Sequence, residues 1–365
     1  MQKAVLINKR MCCFLMGVCI VQQQVNAQDP VFTQAYLSPI YLNPAATGTG
    51  ENDLRISAIY RRQWWTIPST MNYMAFSVDK YVPYINSGFG LLATRSNEGY
   101  LKKSGIYGSY AYTFCPGTVS VAENGGAPKW FWTGGLQFGV AQTRIDFNKL
   151  VFADQLDVNG VIPNSISAAD PPVNNGKYFP DFAAGMFFNY NSTENSRWLA
   201  GFSGHHINKP DESLTSTSDT FRSQLPIRLT GNLMYTHTNT ARTWSYSMAV
   251  ISYLQAKNSS YQVGVEVTQN DYEISLGAWY RGSVNFRDMN TLGITLSFNL
   301  SPRENDIDKM RVGLGHDAQV GANGYSYTAG SSELGFVWEH STYNQDAANP
   351  CKPVISSLIC PRPKW

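Results

Sequence analysis

Charge is scarce in this chain. Asp, Glu, Lys and Arg make up 15% of its 365 residues, where an ordinary soluble domain carries about 25%. A surface wetted on every side is hard to build from so little charge. Long hydrophobic runs are scarce too: the apolar run Met11–Val21 is too short to cross a bilayer as a helix, which takes about 20 residues. Mean hydropathy is −0.25, which argues against a helical membrane protein. Beyond residue 27 no stretch carries the periodicity of a long amphipathic helix.

The first 27 residues read as a targeting segment. Lys3, Lys9 and Arg10, then Met11–Val21, then a polar stretch closing on Val25-Asn26-Ala27 have the layout of a secretory signal peptide cleaved after Ala27. Cys12, Cys13 and Cys19 raise a lipoprotein signal as the alternative, which Met16-Gly17-Val18 before Cys19 fits poorly. Removing Lys3, Lys9 and Arg10 from the 28 basic residues leaves 25 against 26 acidic ones, so there is no basic footprint for nucleic acid. Cys115, Cys351 and Cys360 remain. An oxidising compartment permits a bridge; Cys351 and Cys360, close together in a Pro-rich tail, are the candidate pair, and free thiols are the alternative.

Aromatics are abundant, at 13% with 21 Tyr and 9 Trp, and Gly reaches 30. From about Leu54 to His340 large apolar residues alternate with small or polar ones. Trp130, Trp132, Leu136, Phe138 and Val140 alternate with Thr133, Gly135, Gln137 and Gly139, and Trp244, Tyr246, Met248 and Val250 alternate with Ser245, Ser247 and Ala249. Period two means strands. In a membrane barrel the large face meets lipid and the small or polar face lines the lumen. The pattern predicts strands at 53–62, 70–79, 87–95, 104–114, 129–143, 180–190, 196–205, 226–237, 242–255, 260–269, 271–281, 290–299, 309–315 and 332–340. That is about fourteen, an even number as single-chain bacterial barrels have. The all-β reading is a transmembrane antiparallel barrel over 53–340, with a periplasmic N-terminal segment or plug at 28–52 and a periplasmic tail at 341–365. An even count puts both chain ends on the periplasmic side. It also sorts the connections: 191–195 and 238–241 become short periplasmic turns, and 144–179 and 206–225 become long outer loops. Trp64, Trp65, Trp130, Trp198, Tyr272, Tyr280 and Trp338, near strand ends, are candidates for the interfacial girdles.

Catalytic and metal chemistry finds little support. His205-His206 invites a metal site, but neighbours on a strand face opposite ways and no Cys or carboxylate cluster at ligand spacing joins them. Asp146, Asp154 and Asp157 lack the regular calcium-loop spacing. Ser203 and His205 share a strand face, as a barrel lipid hydrolase would need, with no motif to single them out. Asn124-Gly125-Gly126 is a turn without a phosphate-loop Lys. No enzyme, cofactor or small-molecule substrate is expected.

The start after residue 27 reads Gln28-Asp29-Pro30-Val31-Phe32-Thr33-Gln34, followed by Asn43-Pro44-Ala45-Ala46-Thr47-Gly48 and then Tyr60-Arg61-Arg62-Gln63-Trp64 with Pro68-Ser69-Thr70. Further on come Gly201-Phe202-Ser203-Gly204-His205-His206-Ile207-Asn208-Lys209-Pro210 and Ser275-Leu276-Gly277-Ala278-Trp279-Tyr280-Arg281. This ordered set resembles the PorP/SprF family of the type IX secretion and gliding machinery. Thr33, Thr47 and Gly204-His205 depart from its usual motifs. The resemblance implies an outer-membrane barrel that secretes, anchors or carries a large cell-surface adhesin, or that links the apparatus to periplasmic lipoproteins or peptidoglycan. Its motif residues, Asn43, Pro44, Tyr60, Arg61, Gln63, Trp64, Pro68, Thr70, His206, Pro210, Trp279, Tyr280 and Arg281, are then structural or partner contacts. Read from the residues alone, Arg61 is expected to enter the lumen and pair with a carboxylate, and Trp64 to anchor the interface. The rival readings are a diffusion pore, a barrel enzyme and a soluble β-sandwich.

Overall fold

Alternation carries the chain into strands almost throughout. The computed structural model describes residues 29–341, apart from 51, 70, 115–129, 159, 163, 168–175, 194, 214–222, 284–289, 301–307 and 321–323. In chain order the strands are β1 (Leu54–Gln63), β2 (Met71–Val82), β3 (Ser87–Glu98), β4 (Leu101–Phe114), β5 (Trp130–Ile145), β6 (Leu156–Asp157), β7 (Gly160–Val161) and β8 (Lys177–Thr193). Then follow β9 (Ser196–His205), β10 (Arg228–Thr238), β11 (Trp244–Gln255), β12 (Asn258–Gln269), β13 (Ile274–Ser283), β14 (Asn290–Leu300), β15 (Asp308–Val320) and β16 (Ser331–His340). All but β6 and β7 form one closed barrel in which each strand lies antiparallel to its neighbour and β1 pairs with β16. Closure leaves no edge to expose unpaired backbone to lipid. β6 and β7 make a small separate hairpin in the β5–β8 connection.

Several strands outrun their sequence-predicted limits at one end: β4 starts at Leu101, β8 at Lys177, and β15 runs on to Val320. Charged residues fall within these extensions: Lys103 pairs with Glu212 of the β9–β10 connection at 2.7 Å, and Lys177 pairs with Asp211 at 2.8 Å. The barrel wall continues past the apolar belt, where ion pairs are at home. The two longest connections, 146–176 and 206–227, leave from this same end, called here the outer end because long loops face the exterior in such barrels.

The outward face is the large apolar phase. Ile106 is 69% exposed, Leu136 63%, Ile294 65% and Met248 58%, values a water-facing monomer would not tolerate as a continuous band. Aromatics edge this belt. Tyr112, Phe114, Trp132, Trp198, Trp244 and Tyr246 lie exposed toward the inner end, and Tyr60, Trp65, Tyr100 and Tyr178 lie toward the outer. Of the sequence candidates, Trp198, Tyr272 and Trp65 are exposed in this way. Trp64 is not, and its place is described below.

Residues 29–53 run through the lumen rather than beneath the barrel. Phe32, Gln34, Leu37, Ile40, Asn43 and Ala45 are each at most 2% exposed. Three short turns, Ala35–Leu37, Pro39–Leu42 and Pro44–Ala46, compact the segment, with proline opening the last two, where a missing N–H costs nothing. The wall makes room with glycine: a Cβ on Gly135 would sit 2.3 Å from Ala45 N, and one on Gly88 would sit 2.2 Å from Thr47 O. The described part of the segment crosses the barrel from one end to the other. Asp29 meets the outer ends of β10 and β11 through Arg228 and Gln255, whereas Asn52 binds Glu339 O near the inner end of β16. Strand parity locates residue 54 and residue 340 on one side. It does not constrain the residues before β1, which are numerous enough to span the barrel height.

Candidate functional site

The site is the contact between this plug and the charged lumen wall. At the outer end His206 Nε2 lies 2.7 Å from Asp29 Oδ2, and its Nδ1 lies 2.9 Å from Asp181 Oδ2. Arg228 reaches Asp29 at 3.2 Å and stacks over the Tyr41 ring at 4.9 Å. Asp29 N–H also donates to Gln255 Oε1 at 2.8 Å. Sequence reasoning had His205 and His206 facing opposite ways. His206 instead follows the end of β9 with φ 58, a left-handed conformation that turns its ring inward beside His205, and both are buried. His205 Nε2 lies 3.3 Å from Leu42 O, which also accepts from Ser203 Oγ at 3.0 Å. The Ser203–His205 pair therefore holds the plug backbone.

Burial opposes a charge on His206, but Asp29 and Asp181 overcome it and lift its pKa to about 9. Burial likewise opposes ionisation of Asp29, yet His206 and Arg228 hold it well below the usual carboxylate range. A histidine raised in the folded state gives its stabilisation in full below its free value near 6.5 and loses it as pH rises through about 9. The shift corresponds to an outer anchor weakened by on the order of 3 kcal/mol between pH 6.5 and 10. Proteolysis of the plug in detergent-solubilised barrel accelerates over that range, and His206→Gln flattens the profile at the faster rate. A wild-type profile as flat as the variant's rules the anchor out.

Lower down, Arg61 Nη1 meets Asp317 at 2.7 Å, contacts Glu333, and donates to Thr33 Oγ1 at 3.1 Å. Glu333 in turn accepts the backbone N–H groups of Thr33 and Gln34 at 2.7 and 2.9 Å. Arg281 donates to Thr33 Oγ1 at 2.6 Å. Gln262 Nε2 donates to Thr33 O at 2.7 Å. The wall thus recognises plug backbone with charged groups that neutralise one another, which makes these bonds stronger than neutral ones. Further in, Tyr36 donates to Glu266, which Arg311 pairs at 2.9 Å, and the Tyr36 ring stacks on Trp279 at 6.0 Å. Asn43 caps the Pro44–Ala46 turn through Ala45 N–H and donates to the Met186 and Phe202 carbonyls of β8 and β9. At the inner end Asp79 accepts Gly48 N–H at 2.7 Å and pairs with Arg55 at 2.8 Å.

The structure therefore gathers Asn43, Pro44, Arg61, His206, Trp279 and Arg281 around the plug. Pro210 is buried in the loop above, accepting Leu225 N–H. Tyr60 faces outward, Tyr280 sits against Tyr261 at 6.0 Å between ring centroids, and Pro68 is exposed; none of the three touches the plug site. Gln63 and Trp64 line a cavity of about 340 Å³ above the plug. Trp64 is thus no lipid-facing anchor: a left-handed backbone at φ 55 turns it to the mouth, and Trp65 takes the exposed position under Arg62, 4.1 Å from ring centroid to guanidinium. Thr70, Cys115, Cys351, Cys360 and the segment 1–27 lie outside the described residues. Asp79, Asp181, Glu266, Asp317, Glu333, Arg228 and Arg311 were missed. Their one signal is charge in the lumen phase of an apolar-alternating strand, and their partners lie up to 300 positions away.

A closed antiparallel barrel with an apolar outer belt, aromatic borders and a lumen filled by its own leading segment defines a plugged outer-membrane β-barrel. The chain belongs to the type IX secretion system membrane protein PorP/SprF family, which matches residues 24–338. No curated protein matches it. Among solved structures it is similar to the CymD monoaromatic hydrocarbon channel (TM-score 0.46, 11% identity, 88% of this chain and 95% of that one). It is also similar to the Pseudomonas putida toluene transporter TodX (0.44, 7%, 87% and 98%) and to the Acinetobacter baumannii outer membrane protein Omp33 (0.39, 8%, 80% and 99%).

Proposed function

We propose that this chain is a protein-binding barrel of the type IX secretion and gliding machinery that secretes, anchors or carries a large cell-surface adhesin, and that it acts without catalysis. Its first 27 residues serve as a cleaved signal peptide, and its C-terminal tail lies in the periplasm. The observation that carries this reading is the plugged lumen: an amide and ion-paired carboxylates of the wall hold the plug by its backbone from Asp29 to Gly48. A diffusion pore gains nothing from such a fastening. A barrel that presents a rigid platform to another protein does.

The test is a pull-down of the tagged chain from native outer membranes, with partners identified by mass spectrometry. Recovery of a giant surface protein is the expected result. Recovery of periplasmic lipoproteins alone would replace the adhesin reading with a structural link inside the apparatus, and recovery of neither would contradict both.

A further inference from the structure

Two motif residues, Gln63 and Trp64, take no part in holding the plug. They stand at the outer end of β1, on the wall of the cavity of about 340 Å³ whose floor is Asp29–Val31 of the plug. Tyr73, Glu98, Arg281 and Thr291 complete the part of the wall that matters here. Three observations bear on what this vestibule takes. Its wall continues the surface that already binds polypeptide: one turn of the lumen below, Glu333 and Gln262 hold the backbone N–H and C=O groups of Thr33 and Gln34. The segment so held has no charged residue between Asp29 and Glu51, and the charges lining the vestibule balance, Asp29 and Glu98 against Arg61 and Arg281, rather than making a field of one sign. Finally, Trp64 holds φ 55, a conformation bulky residues rarely adopt and one that tends to be kept where a side chain must be aimed. The indole is aimed into the mouth.

We infer that the vestibule is a docking site for an extended, weakly charged segment of a secreted polypeptide, with Trp64 as the aromatic anchor and the amide and hydroxyl groups of the wall as backbone partners. This rests on the protein-binding reading above and names the surface that does the binding. An aromatic anchor in a pocket beside hydrogen-bonding groups is the usual make-up of an interface hot spot. The plug is the floor of the site, so the bound segment lies over Asp29–Val31 and does not enter the barrel.

The test uses the full chain in native cells. A photo-crosslinking residue replaces Thr291 in the vestibule, and in a separate strain replaces Tyr84, exposed at the inner end. The expected adduct at position 291 maps by mass spectrometry to an uncharged stretch of the secreted partner recovered in the pull-down, and it is absent at position 84. Trp64→Ala lowers the adduct yield by about tenfold while barrel abundance and heat resistance stay unchanged. Gln63→Trp, which fills the cavity from the same wall, repeats the loss should Trp64→Ala fold poorly. A partner recovered by pull-down but never crosslinked at position 291 overturns the vestibule and leaves the broader reading intact. Adducts with lipid or with a second copy of this chain alone overturn it too, and failure of both pull-down and crosslink removes the broader reading with it.

Discussion

Deleting residues 29–50 converts a closed barrel into a conducting one. The full-length protein in planar bilayers shows no resolved channel steps, and the deletion variant shows discrete openings. The physical basis is that the plug fills a lumen the wall does not fill by itself. Eight strands enclose a space that side chains occupy, and 16–18 leave an aqueous channel; the fourteen-strand barrel here lies between, and small residues dominate its inner face. Ser57, Ser77, Ser109, Thr133, Ser247, Thr268 and Ser297 all point inward. These residues are buried while the plug sits between them, and without it the lumen they surround is open to water. Barrel folding survives the deletion because the wall ion pairs Arg55–Asp79, Arg61–Asp317 and Arg311–Glu266 do not involve plug residues. Equal and negligible conductance in both proteins would mean the wall collapses inward on its own.

Arg61→Ala is the most damaging single substitution. It removes the cation shared by Asp317 and Glu333, all three at most 4% exposed, and strands two carboxylates in a site where Arg281 approaches Asp317 no nearer than 3.6 Å. Breaking a buried pair by removing one partner costs about 3–5 kcal/mol. The loss falls on the barrel and on the plug together, because Glu333 also holds the Thr33 and Gln34 backbone. Expected are a lower melting temperature in detergent and faster proteolysis of the plug, both partly restored by Arg61→Lys. Lysine keeps the charge, and because all three contacts come from the one Arg61 Nη1 its ammonium replaces them in part, from a shorter stem. An Arg61→Ala protein as heat-resistant and protease-resistant as the parent would show that the cluster is not what holds the plug.

The wall was readable because its code is local. Period-two alternation is enough to send Leu136, Phe138 and Val140 outward and Thr133, Gln137 and Gly139 inward, and fourteen such segments with paired connections imply closure. Strand limits were less readable, since Lys103 and Lys177 look like strand-ending charges until their partners on the β9–β10 connection are known. The plug was harder still. Nothing near Thr33 announces Glu333 or Asp317, nothing near Asp29 announces Arg228, and the direction of threading depends on contacts of that range. The inward turn of His206 and the mouthward turn of Trp64 both come from left-handed backbone at non-glycine residues, which strand periodicity cannot anticipate. The motif residues picked out by family resemblance did include Asn43, Arg61, His206 and Arg281. What the resemblance lacked was the reason for them, which is the other half of each pair.

Central to all of this is the threading of the plug, with Asp29 at the outer end of the barrel and Asn52 at the inner. Cysteine labelling on intact cells tests it most directly, in a background with Cys115, Cys351 and Cys360 replaced by serine. Val31→Cys, on the vestibule floor, is expected to react with a membrane-impermeant maleimide from outside, and Ser341→Cys only after the outer membrane is opened. Labelling of both positions from the same side would contradict the threading, and with it the closed lumen and the vestibule built on it.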